Sequence, residues 1–132
     1  MADAINTFLM FEDGKADSAM AFYTSLFEDG EILEVTRFGA EGPAKPGTVM
    51  TAKFRMAGQE VMCTDSPISH NFTFTPATSF FVTCSDTAEQ DRLYDALMDG
   101  GSALMPMDNY GFSQRFAWVN DKFGVSWQLN LP

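Results

Sequence analysis

The side chains that could act as catalysts or metal ligands are few and lie far apart in the sequence. His70 is the only histidine, in a loop flanked by prolines, and an imidazole is a candidate general acid or base near neutral pH. Cys63 and Cys84 show no CxxC spacing and no neighbouring histidine cluster, so they do not form a typical zinc motif. We expect both cysteines to be buried, reduced and inert. Because no spacing supports a Cys–His pair, we favour a surface or loop-anchoring role for His70.

Charge and composition limit the classes of partner. The 132 residues, 45% of them hydrophobic, include 18 acidic and only 8 basic residues, for a net charge of −10. Nucleic-acid binding requires clustered basic residues, and an acidic protein is repelled by anionic membranes. No apolar run approaches the ~20 residues that span a bilayer, and the N-terminus lacks the pattern of a secretory signal. We therefore predict a cytoplasmic protein that binds neither nucleic acid nor membrane.

Periodicity predicts two similar series of elements. The first series is a strand, a helix and three strands, at Ile5–Phe11, Ala16–Phe27, Glu31–Phe38, Val49–Met56 and Glu60–Thr64. The second has the same order, at Ser79–Cys84, a helix after Asp86-Thr87 to about Met98, Ala103–Met107, Phe116–Val119 and Val125–Leu131. The assignments rest on apolar residues at helical spacing and on strand alternation.

The ends of the two helices carry capping signals. Asp13 or Asp17 is expected near the start of the first helix, and Gly30 can end it. For the second helix, Asp86 with Glu89, or Thr87 with Gln90, has the spacing of a capping box.

The two series align as an internal repeat. A shift of 71 residues places Tyr23 on Tyr94, and a shift of 66 places Gly58 on Gly124. We predict an α+β fold with one domain, residues 1–132, made of two βαβββ halves at about 1–66 and 76–132. Each half would be a curved sheet with a helix on one face, and the two halves would enclose a cleft.

Three segments carry a family resemblance. The C-terminal hairpin Phe116–Leu129, the N-terminal blocks Phe8–Phe11 and Ala19–Phe27, and the central stretch Ser69–Cys84 closely resemble the PhnB-like, or 3-demethylubiquinone-9 3-methyltransferase-like, family. This family belongs to the vicinal-oxygen-chelate superfamily of glyoxalases, bleomycin-resistance proteins and dioxygenases. The resemblance implies two paired βαβββ modules and a homodimer.

The superfamily also implies where a metal ion would bind. Its members typically hold a divalent ion with four side chains from the first and last strands of the two modules. The matching positions here are Phe8, Met62, Ser79 and Gln128, of which only Gln128 is a reasonable ligand. If this match is displaced by one to three residues, the candidate metal ligands would also include Asn6, Cys63, Thr64 and Asp65. We therefore predict no metal and no other cofactor, and a divalent metal is disfavoured.

The favoured function is a metal-free protein that binds an unknown small molecule, or an enzyme of unknown reaction. Of the two tryptophans, we expect Trp118 to face the cleft and Trp127 to lie in the core. The full set of candidate ligand-binding residues is Phe8, Met62, Asp65, His70, Ser79, Trp118 and Gln128.

Three alternatives stay open: a divalent-metal-dependent lyase or dioxygenase of the glyoxalase type, a drug-sequestering resistance protein, and a methyltransferase. The last is disfavoured because the glycines of the 39–47 loop precede no helix, unlike the nucleotide-binding turn of doubly wound folds.

Overall fold

Both halves of the chain form the predicted βαβββ series. The computed structural model describes all residues, 1–132, as two units, Met1–His70 and Asn71–Pro132. The first unit contains β1 (Thr7–Phe11), α1 (Ala16–Ser25), β2 (Glu31–Arg37), β3 (Val49–Met56) and β4 (Gln59–Asp65). The second contains β5 (Ser79–Thr83), α2 (Thr87–Met98), β6 (Ser102–Asp108), β7 (Arg115–Asn120) and β8 (Ser126–Leu131).

Each unit has a four-stranded sheet with the same topology. The strand orders are β1-β4-β3-β2 and β5-β8-β7-β6. In each sheet the first and last strands of the series pair in parallel, while the other neighbours are antiparallel. The predicted α+β fold with two βαβββ modules is therefore confirmed.

The core of the first unit lies between α1 and one face of its sheet. Along β3 the side chains alternate between the two faces, with Ala52, Phe54 and Met56 buried. Tyr23 of α1 is fully buried and stacks on Phe54 with ring centroids 6.0 Å apart. Burial of each such large side chain stabilises the fold by roughly 1.5–3 kcal/mol.

The expected acid Asp17 lies in the first turn of α1, but neither Asp13 nor Asp17 caps the helix, and Gly30 does not end it. The helix ends at Ser25, before Gly30, and Lys15 at its N-cap makes no side-chain capping bond. Asp17 instead pairs with Arg37, at 2.8 Å between carboxylate and guanidinium. That hydrogen bond from Arg37 lowers the pKa of Asp17.

The missing cap comes from Asp65, which is distant in sequence. Its Oδ1 accepts from the N–H of Ala16 and its Oδ2 from that of Val49, both at 2.9 Å. Asp65 is only 2% exposed. It is the last residue of β4 and pairs with Phe11, the last residue of β1. The carboxylate therefore joins the start of α1 to the start of β3.

The predicted capping box of α2 is confirmed for one of the two candidate pairs. The Asp86 side chain accepts from the N–H of Glu89 at 2.8 Å, and Glu89 accepts from the N–H of Ser85 at 2.8 Å. The alternative through Thr87 is wrong, because Gln90 points into the core. Its amide donates to the carbonyls of β7 and β8, at Arg115 and Leu129, at 3.0 and 3.1 Å.

The closing hairpin β7–β8 is organised by Asp121. Its Oδ1 accepts from the N–H groups of Phe123 and Val125, and Gly124 adopts a φ of +87°. Its Oδ2 accepts from the indole N–H of Trp127 at 2.9 Å. Trp127 is 1% exposed and lies in the core, as predicted.

Another aspartate, Asp29, stabilises the hairpin between β3 and β4. Asp29 accepts from the N–H groups of Ala57 and Gly58 at 2.7 Å each, and both residues have positive φ. The hydrogen bond from Gly58 lowers the pKa of Asp29.

Neither helix is long and apolar enough to cross a membrane.

Candidate functional site

The second sheet presents a group of polar and aromatic side chains on the face away from α2, which we call the open face. Ser79 of β5 pairs in register with Ser126 of β8, and Gln128 of β8 pairs with Trp118 of β7. Residues that pair across strands, or lie two apart along one strand, share a face. Three adjacent strands therefore bring these four side chains together, and we call them the quartet.

Gln128 is held in place by its neighbour on β5. Its Nε2 donates to the Ser79 hydroxyl at 2.7 Å. Its Oε1 receives no hydrogen bond from the protein, although the residue is only half-buried. An amide fixed at one end and open at the other can accept a hydrogen bond from a ligand at little cost in side-chain entropy.

Trp118 is fixed in the same manner. Its indole N–H donates to the Ser126 hydroxyl at 2.8 Å, and Ser126 is 1% exposed. Trp118 itself is half-buried, so part of its ring is available for an apolar or aromatic partner. The two serines are thus the positioning residues of the quartet, and sequence analysis identified only Ser79.

The strand register corrects one predicted position. Phe81, not Ser79, lies opposite Gln128, just as Phe8 lies opposite Met62. The 71-residue shift that aligned the helices fails for the first strands, because Phe8 precedes Tyr23 by 15 residues whereas its counterpart Phe81 precedes Tyr94 by only 13. Ser79 keeps a place on the same face, two residues from Phe81, and contacts Gln128.

The corrected set does not fit a divalent ion. Phe8 and Met62 of the first unit supply a phenyl ring and a thioether, and Phe81 of the second supplies another phenyl ring. The Gln128 oxygen is the only hard donor, whereas such ions take several oxygen or imidazole ligands. No cluster of three His, Cys, Asp or Glu residues exists elsewhere in the chain. We therefore derive no step through a metal.

Phe8 and Met62 lie on the open face of the first sheet. Phe8 is 53% exposed and Met62 is half-buried. Lys53 pairs in register with Met62 on β3 and makes a long ion pair with Glu60 at 3.8 Å. This surface is apolar with charged neighbours, and it lacks the fixed amide of the second sheet.

Asp65 and His70 lie elsewhere in the first unit. Asp65 is on the wall of an open groove of about 750 Å³ that is lined by residues 12–14, 43–48 and 65–69. Both oxygens of Asp65 are engaged by backbone amides, so it serves as a structural carboxylate.

His70 is bonded within its own loop. Its Nε2 lies 2.9 Å from the Ser66 hydroxyl, and its backbone N–H donates to Glu12 at 3.4 Å. Ser66 Oγ also donates to the carbonyl of Ile68 at 2.8 Å. This geometry agrees with loop anchoring rather than nucleophilic catalysis.

The two cysteines are expected to be unreactive in the folded protein. Cys63 lies in β4, and Cys84 lies just after β5 rather than within it. Burial, followed by the charge of Asp65, raises the pKa of Cys63 to about 12, and burial, followed by Glu89, raises that of Cys84 to about 11. With Ellman's reagent at pH 8 we expect no rapidly reacting thiol in the native protein and two in guanidinium chloride. One fast thiol in the native state would contradict this.

Comparison with known proteins identifies relatives of this arrangement. The family model described as 3-demethylubiquinone-9 3-methyltransferase matches residues 3–130. A Bacillus cereus structure titled putative 3-demethylubiquinone-9 3-methyltransferase, PhnB protein, is 54% identical; the match covers 98% of this chain and 100% of that one, with a TM-score of 0.94. A Pseudomonas aeruginosa protein is 25% identical, with 98% of each chain covered and a TM-score of 0.82.

A more distant structure has the same fold. The fosfomycin resistance protein FosX of Listeria monocytogenes, whose structure is titled as a complex with Mn(II) and 1S,2S-dihydroxypropylphosphonic acid, is 14% identical. Here 100% of this chain and 94% of that one are covered, with a TM-score of 0.65. None of the curated proteins searched matches the chain. The sequence resemblance is thus confirmed, and the chain belongs to the 3-demethylubiquinone-9 3-methyltransferase-like (PhnB-like) family, with the fold of the vicinal-oxygen-chelate superfamily.

Proposed function

We propose that this protein binds a small molecule on the open face of its second sheet, without a metal ion. The observation that carries the proposal is the Gln128 amide, which Ser79 fixes at 2.7 Å while its oxygen has no protein donor. Phe81, which is 57% exposed, and the half-buried Trp118 flank this amide. A few fixed polar groups among aromatic surfaces are typical of small-molecule sites.

The quartet favours binding over acid–base or nucleophilic chemistry. Two hydroxyls, an amide and an indole do not ionise near neutral pH, and neither serine is paired with a histidine. The family description names a methyltransferase, but the name of a family model is not an activity. Methyltransferases of the common doubly wound class bind their cofactor at a Gly-rich turn between a strand and a helix. Both sheets here have the βαβββ topology instead.

A fragment screen with two matched variants tests the proposal. Small aromatic compounds with N–H or O–H groups are screened by thermal shift and then titrated by ligand-observed NMR. Gln128→Leu should weaken the binding of the hits about tenfold, the equivalent of one lost hydrogen bond. Gln114→Leu is the control, because Gln114 is exposed and its side chain bonds only to the carbonyl of Pro132, and the affinity of this variant should match that of the wild type. Hits that bind both variants equally would contradict the proposal.

Three expectations from the sequence stay predictions, namely the metal-free site, the homodimer and the predicted cleft between the halves. A stoichiometric divalent ion in protein purified without chelator would favour the lyase or dioxygenase alternative. Light scattering tests the predicted homodimer, because a monomer has a mass of 14.6 kDa and a dimer has twice that mass. A thermal shift with an antibiotic that is lost in Gln128→Leu would favour drug sequestration.

A further inference from the structure

Two further carboxamides share the open face of the second sheet with Gln128. Asn130 follows Gln128 by two residues on β8 and pairs in register with Thr83 and Phe116. Asn120 pairs with Ser126 at the other end of the same strand pair. The period of two along a strand therefore places three amides on one surface.

The oxygens of these amides lack hydrogen-bond donors. Asn120 Oδ1 and Asn130 Oδ1 are buried and have no hydrogen-bond partner. Buried polar groups nearly always have a partner in folded proteins, because an unpaired one loses its hydration without compensation. Two orphaned acceptors on one sheet face, beside the unpaired oxygen of Gln128, are consequently a feature that requires an explanation.

The nitrogen donors of the quartet are already used within the sheet. Trp118 Nε1 donates to Ser126, and Gln128 Nε2 donates to Ser79. The Nδ2 groups of Asn120 and Asn130 also make no hydrogen bond within the protein, but only the Oδ1 atoms of these two residues are both buried and unpartnered. These buried acceptors gain most from a ligand that brings donors of its own.

We infer that the ligand is a small multi-donor compound, with at least two N–H or O–H groups on an aromatic or apolar frame. One donor binds Gln128 Oε1 and a second binds Asn130 Oδ1, while the frame packs against Phe81 and Trp118. Asn130 is only half-buried, and the terminal torsion of an asparagine is soft, so a small rotation brings its oxygen to a ligand. This inference rests on the proposed binding face and adds the chemical class of the ligand.

Two sources of donors fit this chemistry, neutral hydroxyls and protonated amines. The net charge of −10 attracts cations over longer range, whereas hydroxyls lose less hydration energy on burial.

The experiment compares probes that share a benzene ring. Resorcinol carries two O–H donors, 1,3-dimethoxybenzene has the same oxygens with both donors methylated, and 1,3-bis(aminomethyl)benzene carries two ammonium groups. Each is titrated into the full-length protein, and the side-chain amide signals of Gln128, Asn120 and Asn130 are followed by ¹⁵N NMR. We expect resorcinol or the diamine to bind at least about tenfold more tightly than dimethoxybenzene, which corresponds to at least one hydrogen bond.

Two variants localise the second contact. Asn130→Leu should weaken the donor probe about tenfold and leave dimethoxybenzene unchanged. Asn71→Leu, at an exposed asparagine outside the sheet, should behave as wild type.

The outcomes separate this inference from the proposed function. If dimethoxybenzene binds as tightly as the donor probes and loses affinity in Gln128→Leu, the binding face stands and the donor requirement is wrong. If Asn130→Leu binds the donor probes as the wild type does, the second contact is wrong. If none of the three rings perturbs the amide signals, the inferred class of ligand is wrong, and the fragment screen alone decides the proposed function. The tighter of the two donor probes identifies the source of the donors.

Discussion

Replacement of Asp65 by alanine is expected to lower the free energy of unfolding by about 3–4 kcal/mol, because two charge-assisted hydrogen bonds are lost. The carboxylate is 2% exposed and accepts from Ala16 and Val49, both fully buried. Without it, two backbone N–H groups stay buried with no acceptor. A domain of this size has only about 5–15 kcal/mol of stability in total, so the effect is large.

Urea unfolding followed by circular dichroism measures this loss. Asp17→Ala is the matched control, since the ion pair of Asp17 with Arg37 is about half exposed and is worth about 1 kcal/mol or less. Asp65→Asn should recover part of the loss, because the amide oxygen can accept from only one of the two N–H groups. Asp65 would have no capping role if Asp65→Ala were no less stable than Asp17→Ala.

Replacement of Asp121 by alanine is the second large effect, with an expected loss of about 3 kcal/mol. This carboxylate accepts from the N–H groups of Phe123 and Val125 and from the indole of Trp127. Its removal leaves the indole N–H of a side chain that is 1% exposed without this acceptor. The hairpin turn loses two bonds at the same time.

A double-mutant cycle isolates the contribution of the indole. Asp121→Ala, Trp127→Phe and the double variant are compared by urea unfolding, and we expect a coupling of about 1–2 kcal/mol. Asp108→Ala serves as control, because Asp108 is exposed and accepts a single bond from its neighbour Asn109. Strictly additive losses would show that the Asp121–Trp127 bond has no net value.

Much of the second unit was predictable because its signals are local. The capping box at Asp86 joins residues within one helical turn, and Gly124 acts within its own turn. The alternation of β8 placed Gln128 and Trp127 on opposite faces, and Gln128 contacts Ser79 while Trp127 is in the core. Such features depend on backbone geometry over a few residues, which the residue types themselves encode.

The cap of α1 was missed because its partner is remote. Asp65 binds Ala16 across 49 residues and Val49 across 16, and no periodic pattern links positions so far apart. The sequence pointed only to the nearest acids, Asp13 or Asp17, near the start of the helix, and Asp17 does lie in its first turn. In the sequence, Asp65 was a candidate only for ligand binding and, more distantly, for a metal position.

By itself, the sequence determined the element order, the internal repeat, the family and the place of Gln128 on the open face. These follow from periodicity and from contiguous motifs. Only the tertiary structure decided the strand register, which puts Phe81 rather than Ser79 opposite Gln128, joins Trp118 to Ser126 and leaves the oxygen of Asn130 unpaired. The physical reason is that parallel strands are connected through a helix, so their register depends on how that helix packs and not on any turn between the strands.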